Sequence, residues 1–416
     1  MAQIEGKSVP KLNRNYYTSS LNENDPSDCV NNLHPLSFKV IDDIEDFKIV
    51  KDFWISHTCH HYTDYNYYTN IVVQEKGILK PCIIAGFEND KPKTLLIATV
   101  RENYFKLKLG YKSLLSLKTR YLEIMYNGII GDDSPVVCRY TINFLKKILA
   151  KEKIDYIFFK QLDINSNLYK AAKKYGGIFS ISRFEVRNPH LFIDIPDSYE
   201  KFLENQTSKR RHEIRRYAKR IENDFKDKIL VKLLEEPEEI DIILKDTTEI
   251  ASKTYQDKIG AAVVNDKETR ERFLFELRNR RLKVFIMYLE GKPVAHWIVF
   301  LYRGTILGGT TGYLQEYNRY RPGLYLFLKM INYLCQNGKV NKLDFGFGDA
   351  QYKREFASSI NIESNIFIYS VSPRGFILNF IRIFNSVSLN LYRKLSFRFE
   401  MIRRIKKKSR DNLVTS

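Results

Sequence analysis

The sequence has few cysteines and no long apolar run. Its 416 residues include five scattered cysteines with no Cys-x-x-Cys pair. This pattern excludes a disulfide framework and is typical of a reducing compartment. No run of about 18 apolar residues is present that would cross a bilayer, and the first residues lack the apolar segment of a signal peptide. We therefore expect a cytoplasmic protein, with a peripheral position at the inner face of the membrane as a further expectation.

Acidic residues are outnumbered by basic ones. The chain has 49 Asp and Glu against 68 Lys and Arg, and residues 374–416 hold 11 basic and two acidic residues. The resulting net charge of +19 favours anionic partners such as CoA, nucleotide-sugars, anionic lipid or nucleic acid. Hydrophobic residues make up 44% of the chain, which excludes wholesale disorder.

Residue types that bind metals cluster once, at His57, Cys59, His60 and His61. A structural zinc site needs about four ligands at workable spacing. Adjacent histidines point in different directions, and no second ligand pair follows. We predict a polar loop here and no metal.

The strongest local signals lie between residues 284 and 356. Apolar runs separated by Gly291-Lys292-Pro293 and Arg303-Gly304 predict an antiparallel meander. Pro322 opens an apolar helix, and Asn337-Gly338 closes it. The predicted elements are strands at Val284–Leu289, Val294–Tyr302 and Thr305–Gly312, the helix Pro322–Asn337 and a strand at Lys342–Phe345.

An earlier part of the chain repeats this order of elements. The separation along the chain between Pro135 and Pro322 equals that between Tyr156 and Leu343. We interpret this constant offset as a degenerate tandem repeat of one α/β unit, with two ordinary α/β domains of generic order as the alternative. The predicted organisation is a flexible arm, a degenerate first domain, a second domain and a basic amphipathic helix, at residues 1–35, 36–195, 196–372 and 373–416.

The start of the helix at Pro322 is a candidate phosphate site. A helix N-terminus presents unpaired N–H groups and about half a positive charge. Arg319 and Arg321 precede the helix, and Gly323 removes a side chain where a diphosphate would approach. An ordinary turn with solvated arginines is the alternative.

These features together resemble a known acyltransferase fold. The stretch from Asp197 to Ser370 is similar to the GNAT superfamily, and within it to the CelD/BcsL-like acetyltransferases linked to envelope polysaccharide. The similarity rests on the Pro-Gly helix start and on the ending Asp-Phe-Gly…Gly-Asp…Tyr352-Lys353. That ending is also similar to the Fem-type peptidoglycan aminoacyltransferases, which are built from two GNAT-like halves.

The resemblance implies an α/β fold of tandem GNAT-like domains, each a mixed, mostly antiparallel sheet flanked by helices, plus a C-terminal amphipathic helix. It also implies acetyl-CoA or another acyl-CoA as the donor. Val136 stands where the second copy has Gly323, so we expect only the second copy to bind the donor. The implied donor-binding residues are Arg319, Arg321, Gly323 and Leu324.

Acyl transfer needs a held donor, a deprotonated acceptor and a stabilised oxyanion. Backbone N–H groups near Gly309–Gly312 are candidates for the oxyanion. Asp349 is the first candidate base, and His296, in mid-strand, is the second, with a core histidine as the alternative. Lys353 is a candidate for holding a phosphate or developing negative charge, and the Fem-type resemblance places this lysine at the reacting centre. The alternatives for Asp349 and Lys353 are a helix cap and a surface cation.

A basic helix supplies candidates for acceptor binding. Only Glu213 offsets seven Lys and Arg between Lys209 and Arg220. Such a helix binds phosphates or anionic sugars, and a solvated face is the alternative. Its two basic rows are Arg211, Arg215 and Lys219, and His212, Arg216 and Arg220. The residues selected as substrate-binding are Arg211, Arg215, Tyr313 and Tyr352.

A long helical pattern with an apolar stripe follows Gly375 and ends in Lys406-Lys407-Lys408. The stripe either packs on the second domain or lies on an anionic membrane surface. Its members are Phe376, Phe380, Phe384, Val387, Leu391, Leu395, Phe399 and Ile402.

The sequence thus predicts an acyl-CoA-dependent N- or O-acyltransferase acting on an amino sugar or a cell-envelope or polysaccharide precursor. The acceptor is expected to be an anionic small molecule or a sugar-nucleotide. One alternative is a Fem-type transferase that uses aminoacyl-tRNA and a peptidoglycan precursor, and only then would a nucleic acid be a partner of the enzyme. The other is a non-enzymatic basic protein that binds membranes or nucleic acid.

Overall fold

The computed structural model describes residues 36–109, 111–177, 180–181, 185–253, 263–389 and 391–392. The predicted N-terminal arm and residues 393–416 of the predicted C-terminal helix lie outside these ranges. The chain forms two compact units. The first unit combines the chain up to Arg187 with the chain from Glu363 onwards, and the second unit is Asn188–Ile362.

The elements are numbered in chain order. The strands are β1 (Ser37–Ile41), β2 (Ile78–Glu88), β3 (Lys91–Leu109), β4 (Lys112–Gly131), β5 (Tyr156–Asp163), β6 (Arg187–Asp194), β7 (Ile229–Leu234), β8 (Leu282–Leu289), β9 (Lys292–Tyr302), β10 (Thr305–Tyr313), β11 (Lys342–Asp344) and β12 (Ser359–Tyr369). The α-helices whose bounds fall in the described ranges are α1 (Lys51–His57), α2 (Tyr65–Asn70), α3 (Pro135–Lys151), α4 (Asn167–Tyr175), α5 (Tyr199–Glu204), α6 (Ser208–Phe225), α7 (Ile240–Ser252), α8 (Lys267–Arg278), α9 (Pro322–Asn337) and α10 (Gln351–Phe356).

The first unit contains a mixed sheet in the order β1-β2-β3-β4-β5-β12, in which only β4 and β5 are parallel neighbours. The hairpin of β2 and β3 turns at Asn89 and Asp90, which both have positive φ. Helix α3 begins at Pro135, since its missing N–H is not needed there, and buries one apolar face on the sheet. The predicted repeat in the order of elements is confirmed by the hairpin of β2 and β3, by α3 and by β5, whereas β4 was not predicted.

The second unit contains a similar sheet in the order β6-β11-β10-β9-β8-β7, in which only β10 and β11 are parallel neighbours. The predicted meander is confirmed as β8, β9 and β10. The predicted helix and short strand are confirmed as α9 and β11. The tandem α/β architecture therefore follows the prediction, with each unit built on a mostly antiparallel sheet flanked by helices.

Two strands extend their sheets across the boundaries drawn from the sequence. Strand β6 pairs with β11, and β12 pairs with β5. The compact units therefore divide after Arg187 and Ile362, whereas the sequence-based boundaries lie at 195 and 372. Strand pairing across long sequence separations sets the observed division, and a linear reading of the chain does not reveal such pairing.

The C-terminal helical segment, residues 373–389, belongs to the first unit. Its buried side chains include Leu378 and Ile381. Four members of the apolar stripe, which was expected either to pack on the second domain or to lie on a membrane, are exposed at Phe376, Phe380, Val387 and Leu391. Among the described residues, every helix is too short or too polar to span a bilayer.

Candidate active site

The pairing of β10 and β11 in the second sheet is short, and we call the region where it ends the opening between these strands. These parallel strands pair only from Thr305 to Leu307 on β10, opposite Lys342–Asp344. Beyond this point Gly308 lies so close to β11 that an added Cβ would be 3.1 Å from the Asp344 carbonyl oxygen. Gly346 has a φ of +68°, which an L side chain rarely adopts. Two glycines therefore allow the strands to separate after a close approach.

A β-bulge in β10 lies at the same opening. The ladder with β9 is regular up to Gly308 and resumes at Thr311, so that Gly309 and Thr310 both fall opposite one residue of β9. A bulge interrupts the ladder and redirects the backbone groups of the extra residue. The bulge lies within the Gly309–Gly312 run that the sequence analysis selected for oxyanion binding.

A buried histidine–aspartate pair supports the opening from β6 and β11. The Nε2–H of His190 donates to Oδ1 of Asp344 at 2.5 Å, and the Gly346 N–H donates to the same oxygen at 2.7 Å. The two side chains are 2% and 5% exposed, so this hydrogen bond is shielded from water. The sequence analysis missed this pair, because its members are 154 residues apart and no motif near His190 points to Asp344.

Lys353 fixes the loop that follows β11. Its Nζ donates to the backbone oxygens of Gly346, Phe347 and Gly348 at 3.3, 2.9 and 3.2 Å. Burial lowers the pKa of Lys353, against the opposing effects of the Asp344 and Asp349 carboxylates. The amine is thus a structural cation beneath the loop, close to the opening between β10 and β11.

Asp349 is exposed and paired with Arg354. The guanidinium donates to both carboxylate oxygens, at 2.6 and 2.5 Å. These hydrogen bonds lower the pKa of Asp349, so that it stays ionised around neutral pH. Asp349 is therefore near Lys353 in sequence, while its short ion pair is made with Arg354.

Tyr352, which lies between Asp349 and Lys353 in the sequence, is packed in an aromatic cluster. Its ring meets the edges of Trp297 and Phe345, each at 5.9 Å between ring centroids. Burial raises the pKa of Tyr352 to about 12. Trp297 packs in turn on Phe327 of α9, so this cluster covers the α9 side of the sheet.

His296 lies on the other side of the sheet, because neighbouring residues of a strand point to opposite faces. An added Cβ at Gly312 would be 2.9 Å from the His296 ring and 3.5 Å from Ile250 of α7. Neither ring nitrogen has a hydrogen-bond partner in the structure as described. Burial lowers the pKa of His296 to about 4. The structure therefore separates His296 from Lys353 and Tyr352.

The start of α9 differs from the sequence-based expectation in one respect. Arg321 is the N-cap residue, in the left-handed conformation at φ 51° and ψ 57°, and no side chain caps the helix. The space beside Gly323 is filled by the Tyr313 ring, 3.3 Å from the position of an added Cβ. The Leu324 N–H donates to the Arg321 carbonyl at 3.0 Å. The space left by the absent side chain of Gly323 is therefore occupied by the Tyr313 ring.

Arginines gather beside this helix start around the ring of Tyr217 in α6. The guanidinium carbons of Arg321, Arg216 and Arg220 lie 4.4, 4.9 and 5.6 Å from the ring centroid. Arg220 also donates to the Arg319 carbonyl oxygen at 3.1 Å. We call Arg216, Arg220, Arg319 and Arg321, with Tyr217, the arginine cluster.

The arginine cluster has no carboxylate partner among the ion pairs of the described residues. Arg319 contacts the hydroxyl of Tyr320, which itself donates to Asp224 at 2.8 Å. Guanidinium groups without an ion-pair partner, beside a helix N-terminus that no side chain caps, make this a candidate site for a phosphate group.

The arginine cluster takes Arg216 and Arg220 from the second basic row of α6, and the selected residues Arg211 and Arg215 lie outside it. Arg211 donates to the backbone oxygens of Glu204 and Gln206 at 3.1 and 2.7 Å, which holds the turn before α6. Arg215 is exposed. The sequence analysis identified both rows but had no means of knowing which one faces α9, and it missed Tyr217.

Residues 208–354 match the family model described as Acetyltransferase (GNAT) domain. The matched range begins at α6 and ends in α10, so it contains the arginine cluster, the bulge and Lys353. The second unit therefore contains a GNAT acetyltransferase domain, and this domain makes the chain an acyltransferase enzyme. This finding sets aside the non-enzymatic alternative. No curated protein matches the sequence.

Solved structures show a similar fold over most of the chain. FemX has a TM-score of 0.56 at 10% identity, over 82% of this chain and 100% of that chain. A tandem GNAT protein from the clavulanic acid biosynthesis pathway has a TM-score of 0.47 at 9% identity, over 80% of this chain and 98% of that chain. L-PGS from Bacillus licheniformis has a TM-score of 0.45 at 12% identity, over 81% of this chain and 96% of that chain. Because the sequence identity is so low, the similarity to FemX establishes the fold and nothing further.

Proposed function

We propose that this enzyme transfers an acyl group from acyl-CoA to the nitrogen or oxygen of an amino sugar or of a cell-envelope or polysaccharide precursor. The observation that supports the proposal is the arginine cluster at the start of α9. Guanidinium groups stay charged and pair with phosphate oxygens through two hydrogen bonds. Tyr217 supports three of them on one ring, which limits the entropy lost when a phosphate binds.

Residues at the opening between β10 and β11 are suited to the transfer itself. The bulge at Gly309 and Thr310 offers backbone groups that are outside the regular ladder for the developing oxyanion. Lys353 keeps the Gly346–Gly348 loop in place, and we propose that Asp349 orients or deprotonates the acceptor at the exposed edge. His296 has no part in this scheme, because it is buried on the opposite face of the sheet.

Binding of acetyl-CoA by the full-length protein tests the proposal. We expect Arg220→Gln and Arg321→Gln each to raise the dissociation constant for acetyl-CoA by about 10- to 100-fold, since a hydrogen bond to a charged group contributes about 1.5–3 kcal/mol. Arg215→Gln is the matched control, because Arg215 is an exposed arginine of the same helix outside the cluster. Equal affinity in all four proteins, measured by titration calorimetry, would place the donor elsewhere.

A Fem-type reaction is the second candidate. Its support is the fold similarity to FemX and the further exposed cations of α6, Arg215 and Lys219, which exceed what one diphosphate needs. Aminoacyl-tRNA would then bind with a strong dependence on salt. Salt-sensitive binding of aminoacyl-tRNA, together with no binding of acetyl-CoA, would favour this candidate over the first.

A further inference from the structure

The first unit carries a two-stranded arm that extends beyond its sheet. Strand β2 pairs with β3 only as far as Arg101, and β5 pairs with β4 only from Tyr121. Between these points β3 and β4 pair with each other alone, from Glu102 opposite Arg120 to Leu109 opposite Lys112. Eight residues of a strand span about 27 Å. We call residues 102–109 and 112–120 the arm.

The C-terminal helical segment is fixed to the backbone of the arm. The Lys108 N–H donates to Oδ1 of Asn385 at 2.7 Å, and Nδ2 of Asn385 donates to the Lys106 carbonyl at 2.8 Å. The Ser388 hydroxyl donates to the Lys108 carbonyl at 3.2 Å. These hydrogen bonds satisfy the unpaired edge of β3, so the end of the arm and the helical segment form one surface.

That surface exposes large apolar side chains at its far end. Tyr111 and Tyr392 make an edge contact at 5.3 Å between ring centroids. Exposed patches of this kind mark interaction sites, since single exposed apolar residues are normally scattered. The exposed residues, which we call the tip patch, are Leu109 (57%), Tyr111 (69%), Leu114 (54%), Leu115 (51%), Val387 (49%), Leu391 (56%) and Tyr392 (49%).

Positive charge surrounds the tip patch. Residues 104–118 contain four lysines and no acidic residue, and Lys106, Lys108 and Lys112 are exposed. The chain beyond Tyr392 continues this composition, with eight Lys and Arg and one Glu in residues 393–408. This composition is typical of a surface that lies in a membrane interface. Leucines suit the acyl region, tyrosines suit the level of the headgroups, and lysines attract lipid phosphates.

We propose that the tip patch docks the first unit on an anionic lipid bilayer. The four leucines and Val387 enter the boundary of the acyl chains, while the two tyrosine rings stay at the level of the headgroups. The flanking lysines attract phosphatidylglycerol or a similar anionic lipid. This property is independent of the acyl donor, because neither the arm nor the helical segment contributes to the site in the second unit.

Sedimentation of the full-length protein with vesicles tests this inference. We expect binding to vesicles of phosphatidylcholine and phosphatidylglycerol mixed two to one, and weak binding to pure phosphatidylcholine. Leu114→Ser with Leu115→Ser should reduce the partition coefficient by about tenfold or more, because each leucine loses several apolar groups. Ile44→Ser with Ile49→Ser is the matched control, since these isoleucines are exposed elsewhere in the first unit.

Two further measurements separate lipid from other occupants. Tyr111→Trp should give tryptophan emission that is quenched by brominated lipid, because the native Trp54 and Trp297 are buried. Lys108→Gln with Lys112→Gln should remove the preference for phosphatidylglycerol. The inference is overturned if the wild type ignores both vesicles, or if the leucine variant binds normally. It is also overturned if the leucine variant instead dissociates a dimer in sedimentation velocity, since the patch would then be the contact with a second copy.

Discussion

Acidification should destabilise the second unit through His296. Burial lowers the pKa of this histidine from its ordinary value of 6.5 to about 4. As the pH falls below 6.5, the unfolded chain binds the proton and the native state does not. The free energy of unfolding therefore falls as the pH decreases from about 6.5 to about 4. These two pKa values predict a loss of about 2 kcal/mol between pH 7 and pH 5, and about 3 kcal/mol by pH 4.

The surroundings of His296 explain why burial alone lowers its pKa. His296 is fully buried between β8 and β10, and neither ring nitrogen has a partner in the structure as described. A protonated ring would leave a charge without compensation in the core. Replacing His296 with Leu removes two unsatisfied nitrogens, so the variant should be at least as stable as the wild type at pH 7.

Urea unfolding at pH 7, 6 and 5 provides the measurement. Trp297 is the neighbour of His296 and reports on the second unit, and a Trp54→Phe background removes the other tryptophan. As the pH falls, the urea midpoint of the wild type should decrease more steeply than that of His296→Leu. Between pH 7 and pH 5, the free energy of unfolding of the wild type should fall by about 2 kcal/mol more than that of the variant. Parallel pH dependence in the two proteins would refute the reasoning and would show that other groups control acid unfolding.

Two substitutions beside the opening of the second sheet should also be informative. Asp344→Asn should lower the free energy of unfolding by about 1–3 kcal/mol, because it weakens the buried hydrogen bonds that Asp344 accepts from His190 and from the Gly346 N–H, whereas Asp349→Asn should leave the urea midpoint nearly unchanged because Asp349 is exposed. Lys353→Met should lower stability by about 1–3 kcal/mol, since three backbone carbonyls lose their donor. It should also reduce turnover with acetyl-CoA by about 10²-fold or more, and a variant with normal turnover would remove Lys353 from the proposed centre.

Local chemistry explains which parts of the fold could be predicted. The strands β8 to β10 are separated by Gly-containing turns, and α9 begins at a proline and ends before a glycine, so each boundary is marked by its own residues. Strand β4 carries no such signal in residues 112–120. Its pairing with β3 in the arm is visible only in the folded chain.

The candidate site was harder to predict because its parts come from distant segments. His190 and Asp344 belong to two strands that are neighbours only in the sheet. The sequence does not distinguish the two basic rows of α6, and only the folded chain shows that Arg216 and Arg220 lie near the start of α9. The sequence also does not reveal that the Tyr313 ring lies beside Gly323.

The discontinuity of the first unit affects how the chain is made. Glu363 pairs with Asp163, and the whole of the second unit, one continuous segment, lies between these two residues in the chain. At a synthesis rate of about 5–20 residues per second, β5 waits roughly 10–40 s for its partner strand. An unpaired strand edge is a template for aggregation. During translation all strands of the second unit are therefore made before β12, and the β5 edge of the first unit stays unpaired until β12 follows.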